Sequence, residues 1–242
     1  EMTLNASERI AKRLARTGLC SRREGERWIC QGRVTLDGKL ITTPATNVVS
    51  DSIIEVDGKI IPALPDIRLW RYHKPCGLLT THSDPQGRPT IFGSLPADLP
   101  KVISVGRLDI NSEGLMLLTN SGDLARHLEL PGTRLVRRYR VRVRGIPDTE
   151  KLHLLEKGTT IDKVHYGPIL ATLDRQLHRN AWLSLSLREG KNREIRKVLN
   201  YQGMEISRLI RISYGPFQLN KLDQNAVSEV SRHRIKRYIS RL

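Results

Sequence analysis

Asp109 is the side chain best placed to do chemistry. It stands two residues after a cation, in Gly106-Arg107-Leu108-Asp109, in a run with few other acids. It precedes Leu115-Met116-Leu117-Leu118-Thr119, an apolar stretch that reads as a buried strand. Tyr139 falls in Arg137–Val143, where apolar and cationic residues alternate as in a strand, so that Tyr139, Val141 and Val143 share one face and Arg138, Arg140, Arg142 and Arg144 the other. Arg196 lies beyond Arg188-Glu189-Gly190-Lys191-Asn192, where helical spacing starts at Arg193. Taken singly, each has an ordinary reading: a turn acid, a core tyrosine, a solvated cation. Taken together they are a carboxylate, an aromatic platform and a guanidinium able to keep the carboxylate ionised.

The setting is strongly basic. The 242 residues carry 41 Lys and Arg against 25 Asp and Glu, a net charge of +16. A surplus of that size predicts a polyanionic partner, because neutralised phosphates release their counterions. Cys20, Cys30 and Cys76 are odd in number and lack metal spacing, which predicts small buried thiols in a reducing cytoplasm. The seven histidines fall at no ligand-like interval, so no metal is expected. No apolar run approaches a membrane span, and no nucleotide-binding glycine loop is present, so neither a membrane nor a cofactor is expected.

The length suits about two domains of roughly 150 residues or fewer. Beyond a flexible N-terminus (1–7), residues 8–62 read as a small first domain. Ile10, Leu14 and Ala15 have helical spacing up to Gly18. Ser21-Arg22-Arg23-Glu24 is a capping box opening a helix that stops at Gly32. Short strands follow, turning at Asp37-Gly38 and Asp57-Gly58. Arg9, Lys12, Arg13, Arg16, Arg22, Arg23, Arg27 and Arg33 are offset within that span only by Glu24 and Glu26, so the repulsion calls for an anion. Arg9-Ile10-Ala11-Lys12, Gly18, Ser21-Arg22-Arg23 and Gly32-Arg33-Val34 through Asp37-Gly38 resemble the S4 RNA-binding domain. The resemblance implies that Arg9, Lys12, Arg13, Arg22, Arg23 and Arg33 contact RNA.

A proline-stiffened linker (63–67) leads to a second domain (68–222), and a basic segment (223–242) ends the chain. Tyr72-His73-Lys74-Pro75, Asp84-Pro85-Gln86-Gly87-Arg88-Pro89-Thr90, Val105 through Asp109, Ser112-Glu113-Gly114-Leu115, Tyr139-Arg140-Val141, Glu189 through Arg196 and Ser207 through Arg211 occur in the order seen in S4-bearing ribosomal-RNA pseudouridine synthases, which the chain resembles over nearly its whole length. Asn192-Arg193-Glu194-Ile195-Arg196 looks most like the large-subunit type B enzymes. The small-subunit enzymes usually have His-Gln where Arg193-Glu194 stand. One departure is Asn225, where the class usually has Gly. Asn tolerates a left-handed turn.

The resemblance implies an α+β fold: the S4 domain plus a mixed, mostly antiparallel sheet split by a basic cleft. It implies isomerisation of a uridine in 23S rRNA, free or in an assembly intermediate; the composition adds the expectation of a cytoplasmic protein, and a monomer is expected. Asp109 would be the essential carboxylate, Arg196 its partner and Tyr139 the aromatic against the uracil. Arg107 would enter the RNA as the base leaves, and Ile195 would pack on the base. Arg138, Arg140, Arg142, Lys191 and Arg193 would contact phosphates. Two alternatives are the same reaction on 16S rRNA and a non-catalytic ribosome-assembly factor. A glycosidase lacks its second carboxylate motif.

Overall fold

The computed structural model describes residues 7–242, so the N-terminus expected to be flexible lies, apart from Ser7, outside the described residues. Two compact units result. One comprises the chain up to Ile67 together with Ser231–Leu242, and the other is Arg68–Val230.

In the first unit, helices Ile10–Arg16 and Arg22–Cys30 stack on a four-stranded antiparallel sheet. Ser21 caps the second helix by accepting the Glu24 N–H at 3.2 Å, as the capping box requires. Asp37 and Gly38, and likewise Asp57 and Gly58, take positive φ, the two-residue hairpin geometry favoured by right-handed strand twist. Ile10, Leu14, Ile29, Val34, Val48 and Ile54 form the core. The C-terminal segment contributes helix Arg232–Ile239, pinned by buried Ile235, with Arg232 3.6 Å from Asp66.

The second unit is built on a nine-stranded mixed sheet. Its main path runs Leu170–Gln176, Asn180–Leu187, Arg137–Arg144, Ile206–Tyr214, Glu113–Thr119, Leu69–Lys74, Val227–Glu229. Every pairing is antiparallel except Ile206–Tyr214 with Glu113–Thr119, which meet in parallel over only two residue pairs, Ile210 with Glu113 and Arg211 with Gly114. This short seam divides the unit into halves, each with its own core. One surrounds Tyr139, Leu183 and Leu199, and the other surrounds Tyr72, Met116 and Leu118. The strand Val227–Glu229 pairs with Leu69–Lys74, so this domain runs to Val230 and does not stop at 222. Three residues of modest apolarity gave no strand signal until an edge was there to receive them. Asn225 makes the turn into that strand at φ 64, donating its N–H to the His73 carbonyl and accepting the Tyr72 hydroxyl at 2.8 Å.

Of the cysteines only Cys20 is buried. Cys30, at the end of its helix, and Cys76, in the turn after Lys74-Pro75, are exposed, which corrects the expectation of three buried thiols.

Gly114 is the tightest point of the seam. Its φ is +105°, and a Cβ there would lie 2.2 Å from the Arg211 carbonyl oxygen. Gly114→Ala is expected to destabilise the protein by more than about 3 kcal/mol in denaturant unfolding. A loss below about 1 kcal/mol would contradict this close approach.

Candidate active site

The catalytic loop candidate, Gly106–Ser112, links strand Ile103–Val105 to the seam end of Glu113–Thr119. The loop is fixed at nearly every residue. Glu129 accepts the Gly106 N–H at 2.7 Å, and the Thr80 hydroxyl donates to the Leu108 carbonyl at 3.3 Å. Gly77 N–H reaches the Ile110 carbonyl at 2.7 Å, and Ser112 N–H closes a turn on the Asp109 carbonyl at 2.9 Å.

At the centre is Lys74, fully buried. Its Nζ donates to the carbonyls of Ser112 at 2.7 Å, Pro75 and Asp109 at 3.1 Å and Ile110 at 3.3 Å. Burial pulls its pKa down to about 8, which still leaves the amine protonated at neutral pH. Carbonyls converging from one turn suit an ammonium, which has donors and no acceptor. No role for Lys74 was apparent from the sequence. The signal was its phase: Trp70, Tyr72 and Lys74 recur with period two, which directs the lysine inward with two aromatics.

Asp109 itself is half-buried, with its Oδ2 3.3 Å from Arg193 Nη1. Arg193, expected on phosphate, is thus the guanidinium that meets the carboxylate directly, and Arg196, expected as its partner, reaches the loop instead. Arg193 is the N-cap of helix Glu194–Tyr201 in a left-handed conformation, φ 49, which turns its side chain back to the loop. Arg196, one turn along, donates to the Asn111 carbonyl at 3.0 Å and to Ser112 Oγ at 3.4 Å. Its Nε is buried without a hydrogen-bond partner. Burial and the neighbouring Arg193 charge lower the Arg196 pKa, while Asp109 opposes them. Thus Asp109 faces two guanidiniums from one helix terminus, one bonded to it and one bonded to its loop.

Tyr139 is buried in the core that also holds Ile195, on the face covered by that helix. Tyr139, Arg211 and Gly114 lie in one cross-strand row. Two strand spacings of about 4.8 Å therefore separate Tyr139 from the strand entered by the catalytic loop. Arg107 is exposed on the loop beside Asp109.

The remaining candidates divide by environment. Arg138, Arg140 and Arg142 lie on the sheet face opposite Tyr139, with Arg140 and Arg142 over the Trp182 ring at 5.0 and 5.8 Å. Lys191 pairs with Glu189 at 3.3 Å and bonds the His165 carbonyl. In the first unit, Glu8 gathers Lys12, Arg13 and Arg16, the latter two at 2.6 Å. Burial raises the Glu8 pKa, but the bonds and charges of Arg13 and Arg16 outweigh it and hold the carboxyl below its usual range. Buried Arg13 is therefore internally engaged and is not an open phosphate contact. Glu8 stands one residue before the cationic run and is the anion that the run required. Arg33 is paired with Asp57 at 2.6 Å and Arg9 bonds the Ala45 carbonyl, while Arg22 and Arg23 stand exposed on the second helix.

Residues 68–201 match the RNA pseudouridylate synthase family and residues 8–54 match the S4 domain. The chain belongs to the RNA pseudouridylate synthase family. It is an RNA pseudouridine synthase, an isomerase, with an N-terminal S4 domain. A Rickettsia felis protein named as an uncharacterized RNA pseudouridine synthase is 48% identical over 93% of this chain and 97% of its own length. The Pasteurella multocida ribosomal large subunit pseudouridine synthase B is 40% identical over 88% of this synthase and 64% of its own length. The Haemophilus influenzae protein of the same name is 41% identical over 88% and 62%. A crystal structure of a pseudouridylate synthase shares the fold, with a TM-score of 0.65 at 21% identity over 94% of this chain and 98% of that one.

The loop before the helix holds a second carboxyl pair. Glu194 is buried, accepting the Lys191 N–H at 3.1 Å with its Oε2 unpartnered, and burial and Glu189 push its pKa up to about 7. Burial pushes Glu189 upward too, but the Gly167 N–H that it accepts and the Lys191 ammonium beside it outweigh burial and hold Glu189 low, so the two act as an acid and a carboxylate. Between the ordinary 4.5 and about 7, the folded chain keeps a proton on Glu194 that the unfolded chain has released. Its contribution to stability therefore falls as pH rises through that window. Glu194→Gln should remove this loss, measured as the difference between variant and wild-type unfolding free energy against pH. A difference that is flat across the window would contradict the assignment.

Lys74→Met is expected to cost about 2–4 kcal/mol in unfolding, since buried carbonyls lose their donor. It should also lower turnover by about 10²-fold through displacement of Asp109. A variant with wild-type stability and rate would overturn the role given to Lys74.

Proposed function

We propose that this synthase isomerises a uridine of 23S rRNA to pseudouridine, with Asp109 as the catalytic carboxylate. The observation that carries the reading is Asp109 itself: an acid on a loop immobilised by Lys74, facing two guanidiniums from one helix terminus. The large-subunit names of the Pasteurella and Haemophilus relatives support the 23S assignment, as does Arg193-Glu194 in place of His-Gln.

The reaction breaks N1–C1′, turns the base and joins C5 to C1′. The C5 proton leaves to solvent and N1 gains one, so no electrons are exchanged. Positive charge develops at C1′ as the glycosidic bond breaks, and an adjacent fixed anion answers it. Asp109 can add to C1′ or take a sugar proton to give a glycal; both routes need an ionised carboxylate at a set position. Arg193 supplies the opposing charge, and Arg196 holds the loop and keeps an unused Nε donor. Tyr139 presents its ring to the uracil, with Ile195 packed in the same core. Arg107, exposed beside Asp109, fills the space left in the RNA when the nucleotide is extruded.

The test is tritium release from C5-tritiated uridine in unmodified 23S and 16S rRNA. The reading predicts release from 23S only, and its loss in Asp109→Asn without weaker RNA binding, because the change removes a negative charge. Undiminished release by Asp109→Asn would sink the mechanism, and release from 16S alone would sink the target.

A further inference from the structure

Away from Asp109's loop, the second unit contains a cavity of about 380 Å³ where the start of strand Arg137–Arg144 meets the hairpin at Gly215. Arg134, Arg138 and Arg188 line it, with polar groups from Thr133, Ser213 and Gln218, and no acidic residue does. Among the described residues, none of the three guanidiniums has a carboxylate partner.

The cluster is held together by rigid parts. Arg134 follows the turn Pro131–Thr133 in a left-handed conformation, φ 47. Arg138 projects from the exposed face of its strand, and Arg188 follows Leu187 at the end of the neighbouring one. Buried Arg137 ties these pieces together. Its Nη1 donates to the carbonyls of Leu135 at 2.7 Å and Arg188 at 3.0 Å, and its Nη2 to the Tyr214 hydroxyl at 3.0 Å. Arg188 in turn donates to the Arg134 carbonyl at 3.0 Å, and Gly215 N–H to the Val136 carbonyl at 2.8 Å.

Three like charges brought to one hollow, with no acid among its lining residues, repel, and an anion seated between them relieves that repulsion. We propose that this cavity is an anion site for a backbone phosphate of the substrate RNA, with Arg134, Arg138 and Arg188 as its donors. Guanidiniums suit phosphate oxygens because their N–H groups form a planar fork. The cavity's volume lies in the size range of ligand pockets. The source of the phosphate rests on the RNA reading above, whereas the anion chemistry does not.

The test uses the full chain, unmodified 23S rRNA and the double variant Arg134→Gln/Arg138→Gln, with Arg134→Lys/Arg138→Lys as its partner. The slope of log K for RNA against log[KCl] should become shallower by about one unit for each phosphate that is no longer neutralised. The lysine pair should restore it. An unchanged slope in the glutamine pair would overturn the proposal. In a second arm, inorganic phosphate is titrated at low salt. Saturable binding that disappears in the glutamine pair, with the RNA slope unchanged, would make this a site for a small free anion and overturn the RNA assignment. Should the glutamine pair fail to fold, the phosphate titration on wild type decides: no saturable binding and no competition with RNA overturns the site. Because the slope is an equilibrium quantity, its loss in the variant would sustain the site even if the wild-type chain released no tritium.

Discussion

The buried ammonium of Lys74 is the constraint on which the geometry of the Asp109 loop depends. An isolated charge in a protein interior is expensive, and it is tolerated here because the turn after Ile103–Val105 supplies carbonyl oxygens from three of its residues and Pro75 a fourth. The arrangement works in both directions: the carbonyls solvate the lysine, and the lysine holds the carbonyls, and with them Asp109, in one position. In the mechanism proposed above, where Asp109 meets a developing charge at a sugar carbon, the carboxylate gains from having no reorganisation left to do.

The second half of the site comes from across the seam. Glu113–Thr119 and Ile206–Tyr214 meet in parallel over two residue pairs, and Gly114 lets the backbones touch. Arg208 clamps Glu113 with two bonds of 3.0 Å, and Arg211 donates to the Leu115 carbonyl at 2.8 Å. Through this joint the helix beginning at Glu194, which packs on the Tyr139 core, presents Arg193 and Arg196 to the loop belonging to the other half. Neither half alone contains the carboxylate, its cations and the aromatic.

Much of this was legible in the residues, because the features were local. The Asp-Gly hairpins, the Ser21 cap, the buried Leu115 run and the alternation around Tyr139 depend on neighbours a few positions away. Asn225 adopted the left-handed turn that its residue type permits. The partner of Asp109 was not legible, because choosing between Arg193 and Arg196 depends on the backbone turn at the helix start, where Arg193 has positive φ. The pairing of Arg13 with Glu8 was missed because the cationic run was counted from Arg9, one residue too late. The edge strand Val227–Glu229 depends on a partner some 150 positions away, and no local pattern announces it. Lys74 was the instructive case: its inward phase was readable, but a lysine pointing inward has meaning only once the carbonyls it meets are known.

The account rests on a loop that is organised before RNA arrives. Amide hydrogen exchange at Gly77 and Ser112 in the RNA-free protein measures this directly, because these N–H groups close the loop on the Ile110 and Asp109 carbonyls. The account predicts that both amides exchange only on sub-global opening, as slowly as strand amides in Glu113–Thr119 within about tenfold. Exchange near the rate of an unstructured chain, slowing only when RNA is added, would contradict it: the carboxylate would then be positioned by its substrate and not by Lys74.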